Sequence, residues 1–146
     1  VIIGDGPIRS QLTDKANAIL LPGTCFFPGS IGEAYRYMSV FDIYCLTSDN
    51  EGTPNVIIEA LLAGLPVIST NVGDVKDIVE DGVSGMILPS NEPHVISKYI
   101  QELIEKPELC EKYSINGRKR INNDFSTTSM VDRMIEFYSK MESKIN

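Results

Sequence analysis

Five short apolar runs, alternating with helical patterns from the first residue to Leu88, constrain this chain more than any other feature. The runs are Val1–Ile3, Thr24–Phe27, Ile43–Thr47, Val67–Thr70 and Met86–Leu88, and each ends in turn residues. Between them, helical spacing covers Ile8–Asn17, Glu33–Ser39, Asn55–Ala63 and Val75–Glu80. Parallel strands need crossover helices, and strands buried on both faces read as continuous β-branched runs rather than alternations. The order therefore predicts an α/β fold, a parallel sheet of about five strands flanked by helices. After Leu88 the strands stop, and Glu92–Glu105, Pro107–Asn122 and Ser126–Ser143 read as a helical C-terminal tail. Phe125 followed by Ser126 suits a hydrophobic staple and an N-cap.

A chain of 146 residues fits one domain, and 42% apolar with 23% charged residues describes a globular core. No apolar run approaches the ~20 residues that span a bilayer. A net charge of −7 argues against a nucleic-acid partner, because phosphate backbones demand a basic surface. The one basic cluster, Arg118-Lys119-Arg120, reads as a solvated helix end. Cys25, Cys45 and Cys110 are odd in number and widely spaced, so buried reduced thiols in a cytoplasmic protein are expected. Val1-Ile2-Ile3-Gly4 already reads as a strand, and residues 1–146 are accordingly expected to form a single domain that begins inside a larger protein.

Open α/β sheets bind ligands beyond the carboxyl ends of their strands. That rule directs attention to Gly4–Pro7, Pro28–Gly32, Ser48–Asn55, Asn71–Asp74 and Pro89–Glu92. In the third of these loops Thr53 suits an N-cap and Pro54 the first helical position, while Gly52 permits close backbone approach. Free amides and the macrodipole at such a helix start favour a phosphate, although an ordinary capped helix accounts for the same residues. Glu59 is the only polar residue in Val56–Ala63, so the helix is expected to be buried nearly all round. A carboxylate there costs several kcal/mol unless paired, as a structural arginine partner or two ribose hydroxyls would pair it.

Glu51 and Glu59 form an E-x(7)-E pair, and the surrounding segments fit one pattern. Ile2-Ile3-Gly4-Asp5-Gly6-Pro7, Phe27-Pro28-Gly29, Val40-Phe41-Asp42-Ile43, Ala63-Gly64-Leu65-Pro66-Val67 and Asp81-Gly82-Val83-Ser84-Gly85 occur in that order. In this company the chain resembles the C-terminal, nucleotide-sugar-binding domain of retaining glycosyltransferases with the GT-B architecture, most closely family 4. The resemblance covers nearly the whole chain and implies a Rossmann-like sheet.

The resemblance also implies roles. Glu51, the catalytic candidate, would accept hydrogen bonds from the donor sugar. The backbone of Gly52, Thr53, Pro54, Asn55 and Val56 would line the sugar and diphosphate. Glu59 would hold the ribose, and Gly29, Ser30 and Ile31 would lie against the nucleobase. Arg36 and His94 read as surface residues. No metal and no cofactor are implied; the partners are a nucleotide-diphospho-sugar donor and an acceptor-binding N-terminal domain. Any membrane association would run only through that second domain. The product would be a bacterial envelope polysaccharide.

Two departures stand out. The family's G-R-x(4)-K-G segment has no counterpart here, and Gly73-Asp74 replaces a pair of glycines. A sugar-nucleotide epimerase of related architecture and a non-catalytic nucleotide-binding α/β module remain alternatives. The resembled sheet places its first strand centrally, and this chain starts at the second. Closure of the sheet over that gap, with Val1–Ile3 beside Ile43–Thr47, ranks below donation of a strand by another chain or a strand that precedes Val1 in a longer sequence. Thr24–Phe27 is expected at one edge and Met86–Leu88 at the other. Met130, Met134, Phe137 and Met141 recur at helical spacing, so the last helix should leave Phe137 and Met141 uncovered.

Overall fold

The computed structural model describes residues 1–142 and divides them between two compact units, Val1–Arg36 and the portion from Tyr37 onward. In the first unit, helix α1 (Arg9–Ile19) follows an extended N-terminus. The runs expected as the first two strands meet only at a parallel bridge between Ile3 and Gly29. Ile2 N–H donates to the Phe26 carbonyl and Gly4 N–H to the Gly29 carbonyl, both at 2.9 Å. Val1 and Phe26 are 65% and 62% exposed. Their apolar surface lacks the two-sided cover that stabilises a parallel strand.

The second unit holds a three-layer arrangement. A 3-10 helix, Ala34–Val40, begins in the last residues of the first unit and is followed by β1 (Tyr44–Leu46), α2 (Asn55–Ala63), β2 (Val67–Thr70), α3 (Val75–Ile78) and β3 (Met86–Leu88). Then come α4 (Pro93–Glu105), α5 (Pro107–Asp124) and α6 (Thr127–Glu142). The sheet is parallel in the order β1-β2-β3, with Cys45 opposite Ile68 and Ser69 opposite Ile87. Three strands thus stand where about five were expected, because the two N-terminal runs form a bridge rather than a ladder. The edge position of Met86–Leu88 is as expected. The other edge is β1, not Thr24–Phe27, and its one ladder partner among the described residues is β2.

β2 is buried along its whole length, and its side chains alternate between two cores. Val67 packs with Ile57, Leu61, Val75 and Ile78 beneath α2 and α3. Ile68 packs with Met86, Leu88, Leu103 and Tyr113 beneath α4 and α5. At roughly 1.5–3 kcal/mol per fully buried aliphatic side chain, these two clusters supply the main driving force of this unit. The expectation for α2 requires correction. It buries one face through Ile57, Ala60 and Leu61, while Val56 and Leu62 are exposed and Glu59 is half-buried. Its apolar composition exceeds what a single sheet face can cover.

α5 binds the layers together through polar groups. Gly117 packs so closely on Leu61 that an added Cβ would meet the leucine side chain at 2.6 Å. Arg118, expected to be merely solvated, donates to the carbonyls of Leu62 and Ala63 at 3.2 and 3.1 Å. Arg120 donates to those of Ile78 and Asp77, both at 2.8 Å. The cluster therefore caps the carboxyl ends of α2 and α3, where cations meet both orphan carbonyls and the negative end of the dipole. Lys112 and Asn116 reach the carbonyls of Gly82 and Val83 in the same way. α2 itself stops at Gly64, whose φ of 82° supports a Schellman closure with Leu65 N–H on the Ala60 carbonyl.

Among the described residues α6 buries none, and Phe137 and Met141 are 60% and 47% exposed, as expected. Ser143, the last residue of the helix expected there, lies outside the described residues. The three cysteines are half-buried and free rather than fully buried. No helix among the described residues is long and apolar enough to cross a membrane. The α5 caps predict a measurable contrast. Arg120→Met should lower the unfolding free energy in urea by about 1–2 kcal/mol, since two carbonyl acceptors lose a charged donor. Lys119→Met, at an exposed neighbour without a hydrogen-bonded partner among the described residues, should change it by less than about 0.5 kcal/mol.

Candidate functional site

Because β1, β2 and β3 run parallel, the loops after them emerge at one edge of the sheet. Ser48, Asp49, Thr70, Asn71, Pro89 and Asn91 border a polar cleft there of about 250 Å³. Three of the loops singled out from the strand order meet at this cleft. Asn91 donates from its side-chain amide to Asp49, closing the β3 side.

The β1 loop is held from within. Thr70 Oγ1 donates to the Ser48 carbonyl at 2.7 Å, and Ser48 Oγ donates to Glu51 Oε1 at 2.7 Å. Glu51 is half-buried, and Gly52 and Thr53 are exposed. The helix start differs from the expected one. Pro54, not Thr53, is the N-cap, with φ −75° and ψ 88°, and no side chain caps the helix. The Thr53 hydroxyl donates instead to Asp74 Oδ2, while Asp74 N–H donates to the Gly52 carbonyl at 3.0 Å. Asp74 thus anchors the loop after β1 to the loop after β2. In the sequence that position stands out only as a departure from a pair of glycines. Its anchoring was missed, because a hydrogen bond between residues so far apart leaves no spacing to read.

With Thr53 engaged elsewhere, the amides of Gly52, Thr53, Asn55 and Val56 have no acceptor among the described residues. They form a cluster of free donors at the positive end of α2, next to the Glu51 carboxylate. Glu59 lies about one turn into the same helix, and no hydrogen-bond donor among the described residues reaches its carboxylate. Tyr44 reports on both glutamates. Burial raises its phenol most, and the charges of Cys45, Glu51 and Glu59 add to that, so that it is pushed up to about 12. The Cys45 thiol is also raised by burial.

The expected nucleobase segment belongs to the first unit. Gly29 is buried with φ 84°, and the Arg9 guanidinium packs where its Cβ would be, at 3.1 Å. Arg9 Nη2 donates to the Phe27 carbonyl at 2.9 Å and Nη1 pairs with Asp5 at 3.2 Å, which fixes the turn. Ser30 is exposed and Ile31 half-buried, and the backbone polar groups of both have no partner among the described residues. Arg36 is exposed and paired with Glu33 at 3.1 Å, and His94 is exposed beside Pro93 at the start of α4. Both stand at the surface, as expected. Among the described residues no group of three or more His, Cys, Asp or Glu is placed to hold a metal.

A parallel sheet with helices on its faces and its strand-end loops gathered at a cleft defines the class of open α/β domains. Within that class, residues 1–120 match the profile of the glycosyl transferases group 1 family, and the chain belongs to that family. It is similar to the capsular polysaccharide biosynthesis glycosyltransferase CapM of Staphylococcus aureus, at 29% identity over 128 residues. That match covers 88% of this chain and 32% of CapM. Solved structures share the fold. Anabaena HepE, crystallised with UDP and glucose, aligns with a TM-score of 0.81 at 24% identity over 94% of this chain and 39% of its own. The C-terminal domain of the group 1 glycosyltransferase LpcC from Francisella tularensis aligns with 0.75 at 23% identity, covering 82% and 63%. The chain spans about a third of the length of the curated relatives it matches.

The loop anchoring makes one position intolerant. Gly73 has φ 49°, and a Cβ there would overlap the Gly52 carbonyl oxygen and stand 2.7 Å from that of Glu51. Both obstacles are backbone, so relief requires the two loops to part. Gly73→Ala should cost at least about 2 kcal/mol in urea unfolding, from left-handed strain and the lost Asp74 and Thr53 bonds together.

Proposed function

We propose that the chain is the donor-binding domain of a retaining, family 4 glycosyltransferase with GT-B architecture. In this reading it moves a hexose from a nucleotide-diphospho-sugar to an acceptor held by a second domain. The observation that carries the reading is the set of free amides of Gly52, Thr53, Asn55 and Val56 beside Glu51 at the carboxyl edge of the sheet. Donors held in place at a helix start stabilise the charge that develops on a departing diphosphate. Their positions are set before any ligand arrives, so binding requires little rearrangement.

The remaining roles are assigned residue by residue. One oxygen of Glu51 is engaged by Ser48, which leaves the other to accept a sugar hydroxyl. Glu59, half-buried and without a hydrogen-bond donor, suits the two hydroxyls of a ribose. The unpaired backbone groups of Ser30 and Ile31, beside Gly29, suit the edge of a base. Support comes from the UDP complex of HepE and from the C-terminal placement of the LpcC domain. No metal takes part in this reading. The name of CapM places a relative in capsular polysaccharide assembly, and an envelope glycan is the proposed product class. The apolar stripe of α6 is proposed to lie against the acceptor-binding domain.

Two variants of the complete enzyme test the assignment. Glu59→Gln should weaken nucleotide affinity roughly tenfold to a hundredfold, the worth of one or two hydrogen bonds to a charged group. Glu51→Gln should leave nucleotide affinity within about threefold and reduce turnover instead. Calorimetric titration of UDP, GDP and ADP, paired with initial rates on the matching sugar donors, reads both effects. Wild-type behaviour of both variants would refute the site.

The chain alone should transfer no sugar and bind nucleotides weakly, for it carries no counterpart of the G-R-x(4)-K-G segment. Saturation-transfer NMR of the purified 146-residue chain with UDP-, GDP- and ADP-glucose checks the binding. Measurable sugar transfer by that chain alone would contradict the division of labour proposed.

A further inference from the structure

We infer that Ser48 is a positioning residue for Glu51, and that it selects which carboxylate oxygen is free for the donor. The inference rests on the donor reading of Glu51 given above. Its basis is a two-step chain of short hydrogen bonds that reaches from the buried centre of the sheet to the edge of the cleft. Thr70 is 5% exposed at the end of β2, and its hydroxyl donates to the Ser48 carbonyl at 2.7 Å. That bond pins the backbone of the loop after β1 to the most buried strand of the fold. The Ser48 hydroxyl then donates to Glu51 Oε1 at 2.7 Å.

A serine hydroxyl has one proton to give, and a carboxylate has four lone-pair sites to receive. The Ser48 bond therefore uses part of Oε1 and leaves Oε2 open, while fixing the side-chain torsions of Glu51. A glutamate carries up to about 2 kcal/mol of rotamer entropy, which a substrate hydroxyl would otherwise have to overcome on binding. Held in this way, Glu51 presents one acceptor in one direction, so the contact forms without reorganisation as the transition state develops. Ser48 borders the 250 Å³ cleft and is half-buried. Threonine keeps a hydroxyl on the same carbon and is the conservative replacement.

The experiment compares Ser48→Ala, Ser48→Thr and Glu51→Gln in the complete transferase, with Ser48→Ala also made in the Glu51→Gln background. Initial rates, nucleotide affinity by calorimetry and thermal midpoints are recorded for each. Ser48→Ala should lower kcat about tenfold, equivalent to one hydrogen bond to a charged group. Nucleotide affinity should stay within about twofold and the thermal midpoint within about 2 °C. Ser48→Thr should recover most of the loss. In the Glu51→Gln background, where the charge that receives the bond is gone, Ser48→Ala should cost little more.

An equal loss in both backgrounds would overturn the inference, because Ser48 would then act without Glu51. So would an unchanged kcat in Ser48→Ala while Glu51→Gln is impaired, and that result would leave the donor reading intact. Wild-type turnover in Glu51→Gln would overturn both the donor role of Glu51 and the inference built on it. A fall in thermal midpoint that tracks the fall in kcat, unrelieved by threonine, would assign Ser48 to stability alone.

Discussion

Complete burial of Val67–Thr70 is the constraint on which the rest of the second unit depends. A strand hydrogen-bonded on both sides and buried on both faces needs a neighbour at each edge and an apolar layer above and below; here the neighbours are parallel and the layers are helices. Val67 and Ile68 point to opposite faces, so each side needs its own apolar cluster. Parallel neighbours then fix the site without further instruction. Every strand ends at the same edge, and the segments that follow, Ser48–Pro54, Asn71–Asp74 and Pro89–Asn91, are brought to one place. Thr70 extends this logic by a single hydrogen bond, tying the buried strand to the Ser48 backbone and through it to Glu51.

The helices that cover the sheet create a second requirement. α2 and α3 both end against α5, and their last carbonyls need donors that water supplies less well in a packed groove. Arg118 and Arg120 supply them from one helix, and Lys112 and Asn116 on the same helix hold the Gly82 and Val83 carbonyls of the turn before β3. Two residues of the basic run, Arg118 and Arg120, are engaged in this way in a chain of net charge −7. The Arg120 guanidinium also lies 3.7 Å from both Glu80 and Asp124, so the same side chain offsets local negative charge.

What the sequence made legible follows from these constraints. β2 and β3 fall where their apolar runs fall, because both runs find ladders and cover. Ile43–Thr47 shortens to Tyr44–Leu46 as its flanks leave the ladder. Val1–Ile3 and Thr24–Phe27 carry the same apolar signal and form only a bridge. Periodicity reports that a segment can be buried, not that something lies against it. The glutamate pair and the helix start were legible as residues, and the extent of burial around Glu59 was not. The apolar run of α2 is wider than the face it packs on. Arg118 and Arg120 look solvated in sequence because their acceptors are backbone carbonyls, which have no residue type to recognise.

The start of α2 shows why a local rule fails where a site is being built. By helix-capping preference Thr53 should turn its hydroxyl to the first amides of the helix, a contact worth about 1 kcal/mol. It turns to Asp74 instead, Pro54 takes the cap position, and the helix opens with no side-chain cap. A capping hydroxyl would occupy the donors that an anionic ligand needs, so capping and phosphate binding compete for the same amides. The fold resolves the competition through Asp74, whose carboxylate draws the hydroxyl aside while its own amide holds the Gly52 carbonyl. Gly73 is required for that approach, since any side chain would run into the backbone of Glu51 and Gly52. The stability forgone at the helix start leaves four amides without an acceptor among the described residues. On the donor reading, that is where the leaving diphosphate would find them.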